Sequence, residues 1–303
     1  MHQHGRLRRF KSIKSQMKPR RTRYTKLQRR GRKPRPRSKV RFRRAIRQHS
    51  REFASLPSVV TSPYVSVIIP VMNERSTIGS VVREARSVHT STEVIVVANG
   101  STDGSDQIAE RAGARVLRYP QPLGHDVGRT AGALAAQGEV LLFIDGDMII
   151  PAARLRPFIH KIEAGADVAL NHYSGPTNKR HVHRVVLAKH VLNELLSRPD
   201  LKGMSMTAVP HAMSRKALET IGAEHLSIPP MAHAIAIHKG LRLTPAQAID
   251  VGKINKKRTK EGAVDPLEQL IDNDHLQSIR WMIEHAGPRG GYSDLDRQRH
   301  LVR

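Results

Sequence analysis

Between residues 64 and 150 one pattern recurs, at intervals of about 25 residues: a short apolar run, a polar break, then a helical stretch. Tyr64–Pro70 is a β-branched run closed by proline. Ser76 is placed to cap a helix through Val88, whose apolar stripe is Ile78, Val81, Val82 and Ala85. Glu93–Ala98 reads as a second strand, a helix follows over 105–112, and Arg115–Tyr119 is a third strand. After a turn at 120–124 a helix runs to Ala136. The fourth strand, Val140-Leu141-Leu142-Phe143-Ile144, is apolar throughout and so suited to burial on both faces. This alternation predicts an α/β fold with a mainly parallel sheet and helices on both faces. Right-handed crossovers then bring the carboxyl ends of the strands to one edge.

That edge is where the polar residues fall. Asn73, Glu74, Asn99, Asp103, Asp145 and Asp147 each follow a strand, so they converge on one cleft, and open α/β sheets bind ligands there. Asp145-Gly146-Asp147 is the sharpest element. Two carboxylates delivered by a buried strand suit a hard divalent cation bridging them to phosphate oxygens. A surface turn produces the same triplet often, and it is the convergence of the neighbouring polar residues that favours a site.

Charge divides the chain. Of its 52 Lys and Arg, 22 precede Glu52, the first acid; the rest of the sequence holds 30 bases against 26 acids. A stretch such as Arg29-Arg30-Gly31-Arg32-Lys33-Pro34-Arg35 cannot bury enough apolar area to offset its ordering entropy. Residues 1–58 are therefore expected to form a disordered basic arm. Such an arm suits a polyanion: nucleic acid, anionic lipid headgroups or an anionic polymer. Phe10, Tyr24, Phe42 and Phe53 are too sparse to make base stacking the leading choice. The chain has no cysteine, which excludes disulfides and thiolate metal sites and fits a reducing cytoplasm. No apolar run approaches the roughly 20 residues of a membrane span. The expectation is a cytoplasmic protein that the arm can bring to the inner membrane surface.

Four motifs in order carry a resemblance. Val65-Ser66-Val67-Ile68-Ile69-Pro70-Val71-Met72-Asn73-Glu74, Val97-Ala98-Asn99-Gly100-Ser101-Thr102-Asp103-Gly104, Arg129-Thr130-Ala131-Gly132 and Phe143-Ile144-Asp145-Gly146-Asp147 are similar to the nucleotide-sugar-binding half of the family 2 glycosyltransferases. The resemblance implies a GT-A fold and a nucleoside diphosphate sugar as donor. It implies nucleotide contacts from Pro70, Asn73, Glu74, Asn99, Ser101 and Asp103. It also implies a diphosphate-facing turn of Gly124, His125 and Asp126 with Arg129 behind it, and Mn²⁺ or Mg²⁺ held by Asp147 with Asp145 beside it. Here Ala98-Asn99 stands where an acidic pair is common, which leaves the nucleobase open. His211, after another short apolar run, is the candidate third metal ligand; a buried structural histidine is the equal alternative.

The resemblance divides 59–303 into a nucleotide-sugar half (64–150) and an acceptor half with a C-terminal helix (151–303). Inverting members place a catalytic base in an acidic pair before a helix. The equivalent stretch here, Ser227–Gly240, has no acid, so His233 is a candidate base. Retention of configuration, or an acceptor that is already anionic, would remove the need for one. The layout also resembles the retaining glucosyl-3-phosphoglycerate synthases, whose acceptor is anionic. Lys253, Lys256, Lys257 and Arg258 would suit such an acceptor, although a solvated basic loop is the leading reading of that stretch. A helix is expected over 181–197, and Leu267, Leu270, Ile271, Leu276, Ile279, Met282 and Ile283 predict an amphipathic helix packed on the core. Two other readings are a nucleotidyltransferase on a related fold and a non-catalytic polyanion-binding protein.

Overall fold

A computed structural model describes residues 62–178, 180–254, 266–287 and 289–293. The basic arm over 1–58 lies outside the described residues, as do Lys256, Lys257 and Arg258. The expected alternation is realised as β1 (Val65–Val71), α1 (Ile78–Arg86), β2 (Thr92–Asn99), α2 (Ser105–Arg111), β3 (Arg115–Tyr119), α3 (Val127–Ala135) and β4 (Val140–Phe143). There follow α4 (Ala152–Glu163), β5 (Val168–Leu170), α5 (Arg184–Leu195), β6 (His211–Ser214), α6 (Arg215–Ile221) and α7 (Pro229–His238). The last elements are β7 (Leu243–Pro245), the single turn α8 (Val251–Ile254) and α9 (Pro266–Ala286).

One sheet runs β3-β2-β1-β4-β6-β5-β7. β1 pairs in parallel with β2 and β4, and β2 with β3; β6 is antiparallel to both β4 and β5. The period-two rule for strands explains the two cores. Val65, Val67 and Ile69 of β1 join Val94 and Val96 of β2 and Leu142 of β4 on one face. Ile68, Ile95, Val97, Leu141 and Phe143 point to the other. α1, α2 and α4 cover the first face; α3, α6 and α7 cover the second. Each such aliphatic, fully enclosed, contributes about 1.5–3 kcal/mol of transfer free energy.

Two glycines let α3 come close to β1. A Cβ at Gly132 would strike Ile68, and one at Gly128 would stand 3.0 Å from Cβ of Pro70. Ala or larger at either position would push the Gly124–Asp126 turn, which leads into α3, away from the sheet edge.

Three local expectations change. α1 starts at Ile78 with Thr77 before it, not on a Ser76 cap; the Thr77 hydroxyl makes no cap and donates instead to the carbonyl of Gly146, 2.8 Å away. The helix expected over 181–197 is confined to Arg184–Leu195. α9 forms where expected but turns a polar side inward. Asp274, His275 and Ser278 are buried with Met282, while Leu267, Leu270, Leu276 and Ile283 are exposed. No helix among the described residues is long and apolar enough to cross a membrane.

Candidate active site

The sheet order places a switch point between β1 and β4: the chain runs outward from β1 through β2 to β3, then returns to β1's other side as β4. A crevice opens outside the strand ends at such a point. Register puts those ends together, with Pro70 beside Val97 and Ile68 beside Phe143. Gly146 closes the gap. A Cβ there would lie 2.8 Å from Val71, 3.3 Å from the Pro70 carbonyl and 3.6 Å from Cγ of Glu74. Only glycine lets the Asp145–Asp147 turn press against the end of β1, and this approach brings Glu74 beside it.

The loop after β1 and the loop after β2 are stitched to one another. Asn73 adopts a left-handed backbone (φ 60°), its N–H donates to Ser101 Oγ at 3.2 Å, and its Oδ1 accepts from the Thr102 N–H at 2.9 Å. The Glu74 N–H donates to Ser105 Oγ at 2.8 Å, and the Arg75 N–H to Asp103 Oδ2 at 3.0 Å. Asp103 also accepts from the Ser105 hydroxyl and from its N–H. Burial opposes ionisation of Asp103, but these hydrogen bonds outweigh it and hold the carboxyl below the usual range. Asn99 is committed to the next turn: its Nδ2 donates to the Gly124 carbonyl at 2.9 Å and its Oδ1 accepts from the Leu123 N–H at 2.6 Å. It holds the glycine turn in place.

Beyond that turn Asp126 has φ 57° and makes no side-chain cap to α3. Its carboxylate instead meets Arg129 Nη1 at 2.9 Å and lies 3.5 Å from His125 Nε2. Arg129 extends its other nitrogen to Asp145 Oδ1 at 3.5 Å. Burial works against the guanidinium charge, and Asp126 and Asp145 more than offset it, so the Arg129 pKa is raised. One buried arginine therefore links the Gly124–Asp126 turn to the Asp145–Asp147 turn. Asp145 keeps about a third of its side chain open, at 35 %.

Two expected residues lie elsewhere. His211 is buried beside Phe143, stacked at 5.0 Å, and its Nδ1 hydrogen-bonds the Ala208 carbonyl at 3.1 Å. Burial and the nearby Arg129 push its pKa down to about 3, so the imidazole is neutral. Among the described residues no three histidine or acidic side chains gather in a metal-holding group, so His211 does not join Asp145 and Asp147 in one. His233 is fully enclosed in α7, and its Nε2 hydrogen-bonds Asn193 Oδ1 at 2.8 Å. Burial pushes its pKa down to about 3. A side chain sealed between α7 and α5 has no path to an acceptor hydroxyl, which corrects the expectation of a base at this position.

Asp274 was not legible beforehand. Burial and the negative charge of Asp126 raise its pKa to about 6, against the pull of His125, so α9 lies in the field of the His125–Asp126 turn. The sign of the stability effect follows. The folded carboxyl titrates above its ordinary 3.8, so the folded state holds this proton longer than the unfolded state does. The group lowers stability progressively as pH rises from about 4 to 6, and the penalty is complete above that window. Asp274→Asn is expected to raise the melting temperature by about 3 °C near pH 7.5, with the gain vanishing near pH 4. Paired thermal melts at the two pH values check it.

The comparisons with known proteins agree with this geometry. The model of glycosyl transferase family 2 matches residues 66–222. An uncharacterised glycosyltransferase of Mycobacterium tuberculosis is 32% identical over 104 residues, covering 34% of this chain and 46% of that one. Glucosyl-3-phosphoglycerate synthase of Mycolicibacterium paratuberculosis is 30% identical over 115 residues, 35% of each chain. The matches thus span less than half the length of these curated relatives. The crystal structure of the Mycobacterium tuberculosis glucosyl-3-phosphoglycerate synthase with Mn²⁺, uridine diphosphate and phosphoglyceric acid superposes with a TM-score of 0.52 at 20% identity. It covers 82% of this chain and 84% of that one, a likeness of fold. Neither nucleotidyl transfer nor a non-catalytic polyanion binder is favoured by these matches. With the family's model spanning more than half of the chain, and its motifs on the ends of β1, β2 and β4, the protein belongs to glycosyl transferase family 2.

Proposed function

We propose that this chain transfers a sugar from a nucleoside diphosphate to an acceptor that carries an anionic group. The observation that carries the reading is the junction at Gly146, where the two aspartates are pressed against the end of β1 and tied through Arg129 to the diphosphate turn. Two carboxylates one residue apart, with Asp145 partly open, are hard oxygen donors suited to Mn²⁺ or Mg²⁺. When bound there, the ion supplies Lewis-acid neutralisation of the charge on the departing diphosphate. Arg129 adds a second positive charge, preorganised by Asp126 and Asp145, and the glycine turn offers backbone N–H groups to phosphate oxygens. Asn73, Glu74, Ser101 and Asp103 line the neighbouring loops, and this reading gives them base and ribose.

The acceptor assignment draws support from the solved structural neighbour, which holds phosphoglyceric acid and is alike in fold only. Residues 59–303 act as the transferase, with 64–150 binding donor and 151–303 binding acceptor. Residues 1–58 act as a basic tether to an anionic polymer or to the inner membrane surface. A thermal-shift panel of nucleoside diphosphate sugars tests the reading. At least one donor should raise the melting temperature only when Mn²⁺ is present, since ligand binding to the folded state stabilises by mass action. No metal-dependent shift with any donor would remove the proposal.

A further inference from the structure

β6 runs antiparallel to both β4 and β5, so β4 and β5 point the same way, and β7 is parallel to β5. The carboxyl ends of β5 and β7 therefore open on the edge that carries Asp145 and Asp147. Leu142, Ala212 and Ala169 share one rung across β4, β6 and β5. Three residues beyond that rung stand Asp145 after β4 and His172 after β5. Both stretches keep to the ladder on the way. The Ile144 N–H donates to the Ile68 carbonyl at 3.2 Å, and the His172 N–H to the Gln247 carbonyl at 3.1 Å.

The side of the sheet follows from period two. Leu142 and Ala169 lie in the core of the first face, and Phe143 and Leu170 in that of the second. Asp145 and His172, two residues further on, belong to the second side, where Arg129 of α3 meets Asp145. On β6 between them, the enclosed His211 ring stacks on Phe143. Two strand spacings put the Asp145 and His172 backbones roughly 10 Å apart, a gap that admits a sugar ring between their side chains.

The backbone at His172 is clamped on both sides. Asn171 donates to the Val209 and Ile249 carbonyls at 3.1 and 2.9 Å and accepts from the Ile249 N–H at 2.9 Å. The Tyr173 hydroxyl donates to Asp250, and a Cβ at Gly252 would stand 2.8 Å from it. These neighbours are spent on structure. The His172 ring is exposed and, among the described residues, has no hydrogen-bond or ion-pair partner. The ionisable groups around it are engaged or enclosed: Arg129 pairs with Asp126 and Asp145, Lys253 with Asp250 at 3.4 Å, and His211 with the Ala208 carbonyl. His190, near the Ser174 carbonyl, has its Nε2 enclosed. With His233 sealed between helices, the proton of an attacking hydroxyl needs another acceptor.

We infer that His172 is a catalytic residue on the acceptor side of the site, lying against the acceptor hydroxyl and taking its proton. The inference rests on the proposed sugar transfer. As the hydroxyl oxygen bonds to the anomeric carbon, the bond from that carbon to the diphosphate oxygen breaks, and its electron pair leaves with the diphosphate. The proton passes to a ring nitrogen of His172 and then to solvent, which the exposed ring reaches. The nucleophile is a hydroxyl of the acceptor, and the acceptor's anionic group is a separate handle.

Nuclear magnetic resonance of the full chain tests the location. The imidazole signals of His172 and His125 are identified from His172→Gln and His125→Gln, then followed with uridine diphosphate and either Mg²⁺ or paramagnetic Mn²⁺. Mn²⁺ is expected to broaden both signals and Mg²⁺ neither. Initial rates of diphosphate release test the role, using the donor that the thermal-shift panel selects and either phosphoglyceric acid or water alone as acceptor. His172→Ala and His172→Gln change an exposed side chain and should keep the fold. Both should lower kcat about 10²-fold or more, with donor KM within about twofold. Added imidazole should restore part of the turnover in His172→Ala and leave the native rate unchanged. Broadening of His125 without His172 would overturn the location, and an unchanged kcat in His172→Gln would overturn the role. Broadening of neither would remove the transferase reading, and this inference with it.

Discussion

Asp147→Ala is expected to abolish metal-dependent binding of the nucleoside diphosphate sugar and to lower turnover by about 10³-fold or more. A metal that neutralises the leaving diphosphate is worth several kcal/mol of transition-state stabilisation, and each 1.36 kcal/mol is a factor of ten. Asp147 lies just beyond β4, whose Leu142 and Phe143 are fully enclosed, so the strand that delivers it is placed by the core. The variant should therefore keep its fold, with stability within about 1 kcal/mol of the native chain. Asp147→Asn should show the same loss, because the amide keeps the shape and removes the charge. The measurement is donor titration with and without Mn²⁺, followed by initial rates. Unchanged metal-dependent binding and unchanged rates in Asp147→Ala would refute the assignment.

Arg129→Met is expected to lose both stability and donor binding. Arg129 is 6 % exposed and pairs with Asp126 at 2.9 Å and Asp145 at 3.5 Å. Removing one member of a buried ionic network leaves its partners uncompensated, at a cost of about 3–5 kcal/mol. Asp126 and Asp274 already repel one another, so the loss falls on a region of excess negative charge. Arg129→Lys keeps a charge but not the fork that reaches two carboxylates, and should lose less. Asp126→Asn combined with Arg129→Met should regain part of the stability but not donor binding. Urea unfolding together with uridine diphosphate titration separates the two effects. A stable Arg129→Met chain that binds the donor normally would show that the network has no such role.

Much of the donor half was legible because its signals are local. Period-two burial of Val65, Val67 and Ile69 against Ile68, and the turn residues after each strand, depend on neighbours in the chain. The order of Asn73, Asp103 and Asp145–Asp147 along the alternation was enough to place them on one edge. His211 and His233 were ambiguous for the opposite reason. An imidazole after an apolar run is compatible with a ligand or with a core residue, and only the Ala208 carbonyl and Asn193 amide beside them decide. Asn99 was placed correctly at a strand end, yet its bonds to Leu123 and Gly124 come from a turn more than twenty residues away.

The C-terminal helix shows the division most sharply. Its apolar repeat, Leu267, Leu270, Leu276 and Ile283, was enough to establish that a helix forms, because spacing at 3.6 residues is a property of the chain itself. Which side of that helix faces inward is a property of what it meets. α5 and the His125–Asp126 turn present His183, Arg184, Lys189 and buried charge, so α9 turns Asp272, Asp274 and His275 towards them and leaves its leucines outside. The sequence alone determined the order of the polar residues along the strand ends, the two aspartates and the existence of α1, α2, α3, α5 and α9. Tertiary structure decided which polar groups are spent on one another, since pairing across elements depends on distances that no local pattern contains.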